Sequence, residues 1–183
     1  MKRFLLIIFL LNFNNIAASS IKDEIIKNLI KTNNLSFNFE QNINGKVETG
    51  NCVLEYPKKI YCKYDKLNNK ILVSNGKSIV IKTKSGSYYR YGIKTTPLNY
   101  ILDKNFLISQ IRYLTERIVD DKFVNFTILK DENEINIFFD KKTLNIIGWQ
   151  TLDIYQNLNI TFLSNLRKNQ VLKKDIFKLP IVN

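Results

Sequence analysis

The sequence predicts a mainly β fold with some α: an open or incomplete antiparallel β-barrel of about ten or eleven strands, with helices covering its concave face. Three observations point there. Cys52, Leu54, Tyr56, Ile60, Cys62 and Tyr64 alternate with Glu55, Lys59 and Lys63, and in an extended chain that spacing makes one apolar and one wet face. Asn75-Gly76 stands between Ile71-Leu72-Val73 and Ile79-Val80-Ile81. Asn-Gly accepts the positive φ of a type I′ turn, so a tight hairpin is expected. The remaining alternating runs add up to a sheet too wide to stay flat, and its twist curls it.

The elements follow in order. Residues 1–19 combine a basic start at Lys2 and Arg3, an apolar run from Phe4 to Leu11 and a small-residue end at Ala17-Ala18-Ser19. This is the layout of a secretory signal peptide, which leaves residues 20–183 as a single domain, expected in the periplasm. The apolar run is too short to span a bilayer. Neither cysteine sits at the expected cleavage point, so no lipid anchor on the mature chain is expected. Ser20 to Thr32 reads as a helix capped by Ser20, with Ile21, Ile25, Ile26, Leu29 and Ile30 as its apolar stripe. Leu35, Phe37 and Phe39 alternate with polar residues in a first strand, and Asn44-Gly45 turns the chain into a second. After the central meander, Ser85-Gly86 marks a turn, and Thr96-Pro97 starts a helix carrying Leu98, Ile101 and Leu102. Phe106 to Val119 is ambiguous between helix and other structure. Strands are expected at Phe123–Leu129, Glu134–Phe139, Leu144–Asp153 and Leu158–Leu163, with Ile176–Pro180 as an edge strand, a place where proline's missing donor is harmless.

Composition narrows the function. The 183 residues are 45% hydrophobic, with twelve Phe and nine Tyr, which suits a packed core. The formal net charge is +12. It fits either an anionic partner or a compositional bias towards lysine on solvated faces. Lys and Arg are spread along the chain without a run of five, which argues against nucleic-acid binding. There is no histidine, which removes Ser-His and Cys-His catalysis and His-ligated zinc. Asp120-Asp121 and Asp131, Glu132 and Glu134 lie beside expected turns among lysines, where a solvated loop explains them. No enzyme, metal or cofactor is expected. Trp149 follows Gly148 in a strand and suits either core or cavity lining.

Cys52 and Cys62 lie five residues either side of Pro57. A symmetric hairpin would set them opposite each other on the apolar face, where an oxidising compartment favours a disulfide. A register slip of one residue would separate them onto two faces, and two buried thiols are the other outcome.

The order of motifs is similar to that of the periplasmic outer-membrane lipoprotein carrier family (LolA). Phe39-Glu40-Gln41 resembles its Phe-x-Gln strand, and Val73-Ser74-Asn75-Gly76-Lys77 its Val-Ser-Asp-Gly-Lys turn. Thr96-Pro97-Leu98 and Phe177-Lys178-Leu179-Pro180 resemble its Thr-Pro-Leu and late Phe-x-x-Pro. The family usually carries Arg before the proline of its x-Pro-x-x-Ile segment, where it latches the lid helices; this chain has Tyr56 before Pro57. A hydroxyl donates one hydrogen bond against the five of a guanidinium, so a weaker latch is expected.

The resemblance implies a monomeric periplasmic chaperone that shuttles lipoproteins from an inner-membrane ABC-type releasing complex to an outer-membrane lipoprotein receptor. Leu35, Phe37, Phe39, Leu54, Tyr56, Ile60, Tyr64, Leu98, Ile101 and Leu102 would line its acyl-chain cavity, with Ile25 and Leu29 on a lid helix. Three acyl chains of about 15 methylenes each, left in water, cost on the order of 35 kcal/mol, which a flat patch does not offset and a cavity does. The alternatives are a carrier of another amphiphile, such as a glycolipid or fatty-acyl conjugate, and a non-enzymatic periplasmic interaction or sensor module.

Overall fold

The computed structural model describes residues 19–65, 69–153 and 155–181; the leader expected at 1–19 falls, but for Ser19, outside them. One antiparallel sheet of eleven strands organises the chain, in the order β6-β5-β4-β3-β2-β1-β11-β10-β9-β8-β7. The strands are β1 (Asn34–Ile43), β2 (Lys46–Glu55), β3 (Lys59–Tyr64), β4 (Ile71–Asn75), β5 (Ser78–Lys82), β6 (Tyr88–Gly92), β7 (Arg117–Val119), β8 (Phe123–Lys130), β9 (Asn133–Asp140), β10 (Ile146–Leu152) and β11 (Leu158–Lys168). β1 lies beside β11 at the centre, and the edges β6 and β7 are not paired with each other. The sheet is therefore an open barrel. Its helices are α1 (Ile21–Lys31), α2 (Leu98–Ile101) and α3 (Lys104–Ile111).

Local chemistry explains most boundaries. The Ser20 hydroxyl accepts from the Asp23 amide at 3.2 Å and starts α1. Asp103 does the same for α3, accepting from the Phe106 amide at 3.2 Å. At Asn44-Gly45 both residues have positive φ, 50° and 85°, the type I′ pattern that closes β1 onto β2. Asn75-Gly76 differs from expectation. Gly76 takes φ 91°, whereas the Asn75 side chain accepts from the amides of Lys77 and Ser78, each at 3.0 Å. A side chain that caps the turn has replaced the second left-handed residue.

One open stretch resolves and two further expectations need correction. The Phe106–Val119 stretch divides into the end of α3 and β7. The strand expected from Leu144 begins at Ile146, because Leu144 has φ 59° and belongs to the turn that Asp140 closes by accepting from the Thr143 amide at 2.6 Å. Residues 176–180 form no strand, since the edge positions are taken by β6 and β7. This tail crosses the convex face instead. Tyr88 donates to the Pro180 carbonyl at 3.3 Å, Lys82 to the Ile181 carbonyl at 3.0 Å, and the Lys59 ammonium stands 5.9 Å from the Phe177 ring. Val73 and Val80, paired across β4 and β5 with convex parity, are accordingly buried.

The core fills one end of the barrel. Ile25, Ile26 and Leu29 of α1 pack with Leu107 and Ile111 of α3 against Val124, Phe126, Ile128, Ile135, Ile137 and Phe139 of β8 and β9. Ile30, expected on the same stripe of α1, is instead about half exposed. Phe126 and Phe139 meet edge to face with centroids 5.9 Å apart, and both are fully buried.

Candidate functional site: a cavity between sheet and α2

The opposite end of the concave face is not filled. Strand register explains how its wall is built. Phe39 faces Gly50, which faces Tyr64, and Phe37 faces Cys52, which faces Cys62, so one row of side chains from β1, β2 and β3 shares the concave side. Gly50 is required in that row: a Cβ there would lie 2.2 Å from the Lys63 carbonyl oxygen and 2.7 Å from the Phe39 ring. Phe39 and Tyr64 instead meet edge to face at 5.0 Å. Leu72, Ile79 and Ile81 continue the wall into β4 and β5, Trp149 closes it from β10, and Thr96, Pro97, Leu98 and Ile101 cover it. The cavity, open to solvent at its mouth, measures about 270 Å³.

Six of the ten residues expected at a binding surface line this cavity: Phe37, Phe39, Ile60, Tyr64, Leu98 and Ile101. Leu35, Leu54, Tyr56 and Leu102 share the concave side but pack into the core, as do Ile25 and Leu29 of α1. The cover over the cavity is α2. Helix α1 is tied down elsewhere: Asn28 donates to the Leu144 carbonyl at 2.7 Å and accepts from Lys168 at 2.8 Å, and Lys22 donates to the Leu114 carbonyl at 3.1 Å. Leu72, Ile79 and Ile81 were missed as lining, although their strands were read, and Trp149, left open between core and lining, borders the cavity; parity shows a face and not which part of it stays empty.

Cys52 and Cys62 are directly opposite in register with Cα atoms 4.1 Å apart, and they form a disulfide in the cavity wall. It closes a loop with a sequence separation of 10. Reduction is expected to lower stability to urea by about 2–3 kcal/mol, with two thiols appearing by mass spectrometry only after reductant. Unchanged stability on reduction would show that the hairpin's register holds the strands without the bond.

The Tyr56 hydroxyl, expected to offer a weaker latch, is buried without a hydrogen-bond partner among the described residues. Burial pushes its pKa far above the ordinary tyrosine value. The hydrogen bonds come from Lys104 instead. Its ammonium donates to the Thr32 carbonyl at 2.7 Å and the Ile30 carbonyl at 3.2 Å, capping the C-terminal end of α1, and stands 5.9 Å from the Tyr56 ring. Lys104, at the start of α3, thus fastens α3 to the C-terminal end of α1.

Charge is also unevenly placed. No acidic residue occurs between Asp65 and Asp103, a stretch carrying Lys66, Lys70, Lys77, Lys82, Lys84, Arg90 and Lys94. Its strands β4, β5 and β6 are neighbours at one edge of the sheet. Among the described residues, only Lys70 of this group makes an ion pair, with Glu48 at 2.7 Å. Lys70, Lys77, Lys82, Lys84, Arg90 and Lys94 thereby give this edge an excess of positive charge. A larger hollow of about 550 Å³ lies on the outer face. Asn38, Glu40, Asn51, Asp65 and Ser164 line it together with Phe162 and Leu163, a mixed polar and apolar surface.

No curated protein matches the chain by sequence. Solved structures resemble it in fold at low identity. An uncharacterized conserved protein from Thermus thermophilus matches with TM-score 0.52 and 5% identity, over 87% of this chain and 92% of the other. MucB matches with TM-score 0.51 and 13% identity, over 90% of this chain and 64% of its own; the Pseudomonas aeruginosa protein has been solved together with MucA. A LolA-superfamily protein from Nitrosomonas europaea matches with TM-score 0.47 and 7% identity, over 88% and 99% of the two chains. The model of the outer membrane lipoprotein carrier protein LolA matches residues 30–180. With its open eleven-stranded barrel and that match over most of its length, the chain belongs to the LolA family.

Proposed function

We propose that the protein is a periplasmic carrier, formed by residues 20–183 behind a leader at 1–19, that holds the acyl chains of lipoproteins during passage from inner to outer membrane. The observation that carries this reading is the unfilled apolar cavity beneath α2. A protein folding for stability alone would close such a space, because interiors pack to crystal density. At about 270 Å³ it lies just below the range of about 300–1,000 Å³ for small-molecule sites, so three acyl chains require α2 to move away. That helix is four residues long, with no side-chain cap at its start, and its tie to the far side of the barrel is a bond from Tyr100 to the exposed Asp131. Its end is held, with Ile101 and Leu102 buried and the Lys58 amide donating to the Leu102 carbonyl at 2.7 Å, so the start at Pro97 and Leu98 is the part that would lift.

The partners would be a releasing complex in the inner membrane and a receptor at the outer membrane. The basic edge would speed approach to whichever of their surfaces is anionic. A transfer assay tests both points. Lipoprotein in inner-membrane vesicles should become soluble with the carrier and pass to acceptor vesicles, at a rate that falls steeply between low and physiological salt. No solubilisation would overturn the carrier reading. A rate independent of salt would leave the charge as compositional bias. A carrier of another amphiphile would bind lipid but leave the lipoprotein behind.

A further inference from the structure

We propose that a polar arc on the cavity wall is a headgroup subsite that selects neutral, amide- or ester-linked acyl amphiphiles over free fatty acids. The proposal rests on the carrier reading and adds to it the chemistry of the cargo's polar end. The arc follows from register. Gln41 of β1 lies opposite Glu48 of β2 on one side and opposite Thr161 of β11 on the other. Thr151 of β10 lies opposite Asn159 of β11. Lys70, just before β4, reaches back to Glu48 at 2.7 Å and lies 4.1 Å from the Tyr64 ring centroid. Gln41, Lys70, Thr151, Asn159 and Thr161 all line the cavity.

One step deeper along the same strands the wall is apolar, with Phe39, Tyr64 and Trp149. The arc is therefore a polar band in the wall, with Phe39, Tyr64 and Trp149 below it and Ile43, Leu152 and Tyr155 beyond it towards the mouth. Among the described residues only Tyr56 and Asn99 bury an unpartnered side-chain polar atom, so the free groups of the arc are hydrated in the empty cavity and a headgroup would replace that water. Part of the arc is internally bonded: the Gln41 amide donates to Asn159 Oδ1 at 3.0 Å and Thr161 Oγ1 at 3.4 Å. Gln41 Oε1 and the Thr151 hydroxyl have no partner among the described residues. The first accepts from an N–H or O–H, and the second donates to a carbonyl oxygen. Together they match an amide, or an ester beside a free hydroxyl.

The same wall disfavours a carboxylate. The cation of the arc, Lys70, is engaged by Glu48, and Asp153 adds a second carboxylate to the lining. A fatty-acid headgroup placed here meets like charge without a free counter-ion.

The single tryptophan, Trp149, lines the cavity and supplies the readout. Its fluorescence is titrated with a monoacylglycerol and with the free fatty acid of the same chain length, at about pH 8 where the acid is ionised. The wild type should bind the monoacylglycerol roughly tenfold more tightly. The pair Gln41→Leu and Thr151→Val should bring that ratio to within about threefold while chain binding persists. Thr151→Val alone, nearly isosteric, should move the ratio in the same direction and guards against misfolding of the double variant. Equal affinities in the wild type, or an unchanged ratio in the variants, would overturn the arc and leave the carrier standing. Binding of neither lipid would overturn the carrier reading and the arc together.

Discussion

Ile60→Glu abolishes binding of a fluorescent acyl probe and leaves the circular dichroism of the sheet unchanged: this is the expected result with the largest effect on function. Ile60 is 3% exposed and lines the cavity from β3, with its neighbours' charges, Lys59 and Lys63, on the other face. A carboxylate there projects into the space an acyl chain would fill. Its desolvation costs the complex at least ~2.7 kcal/mol, about a hundredfold in affinity. The empty protein avoids that penalty because water enters the cavity from the mouth. Global unfolding of the variant would show that Ile60 is ordinary core and that the cavity is not the site. Undiminished binding would place the acyl chains elsewhere.

Phe126→Ala should cost ~3–5 kcal/mol in urea denaturation, whereas Leu98→Ala should cost less than about 1.5 kcal/mol and weaken acyl binding. The contrast follows from where the two side chains sit. Phe126 is fully buried between α3 and the β8–β9 hairpin and meets Phe139 edge to face; its removal leaves a void that rigid neighbours do not close. Leu98 already borders empty space and is partly buried, so its truncation forfeits contacts on one side alone. Equal costs would mean that the barrel is filled evenly, in conflict with a division into core and binding space.

Much of this architecture was legible in the sequence, for identifiable reasons. Alternation in β1, β2 and β3 is local, and it placed Phe37, Phe39, Cys52, Ile60, Cys62 and Tyr64 on one face without knowledge of the fold. The cysteine pairing needed one further assumption, that the turn around Pro57 is symmetric, and the register Cys52 opposite Cys62 satisfies it. What was not legible depends on distance through space. Leu54 and Ile60 face each other with the same parity and nearly the same burial, yet one packs into the core and the other borders the cavity. That difference arises from where α1 and α3 lie along the barrel, which no periodicity records. Lys104 was invisible for a related reason. Its importance comes from the C-terminal carbonyls of α1, which reach it only when the two helices meet. The stretch without acidic residues was on view throughout, but sheet order is what makes it a face.

The tail that crosses the convex side has a mechanical consequence. β4 and β5 are pressed from both sides, with Ile79 towards the interior and Val73 and Val80 beneath the tail. To bend that wing outward, Pro180 and Ile181 must first let go of Tyr88 and Lys82. The rim of the opposite wall, where Leu152, Tyr155 and Leu158 are partly or largely exposed, is held instead to the β1–β2 turn, with Asn44 donating to Asn157 at 2.6 Å and to the Leu158 carbonyl at 3.3 Å. Each wall thus carries its own strap, and widening the barrel at the β4–β5 wing to admit bulkier contents would break the two bonds of the tail.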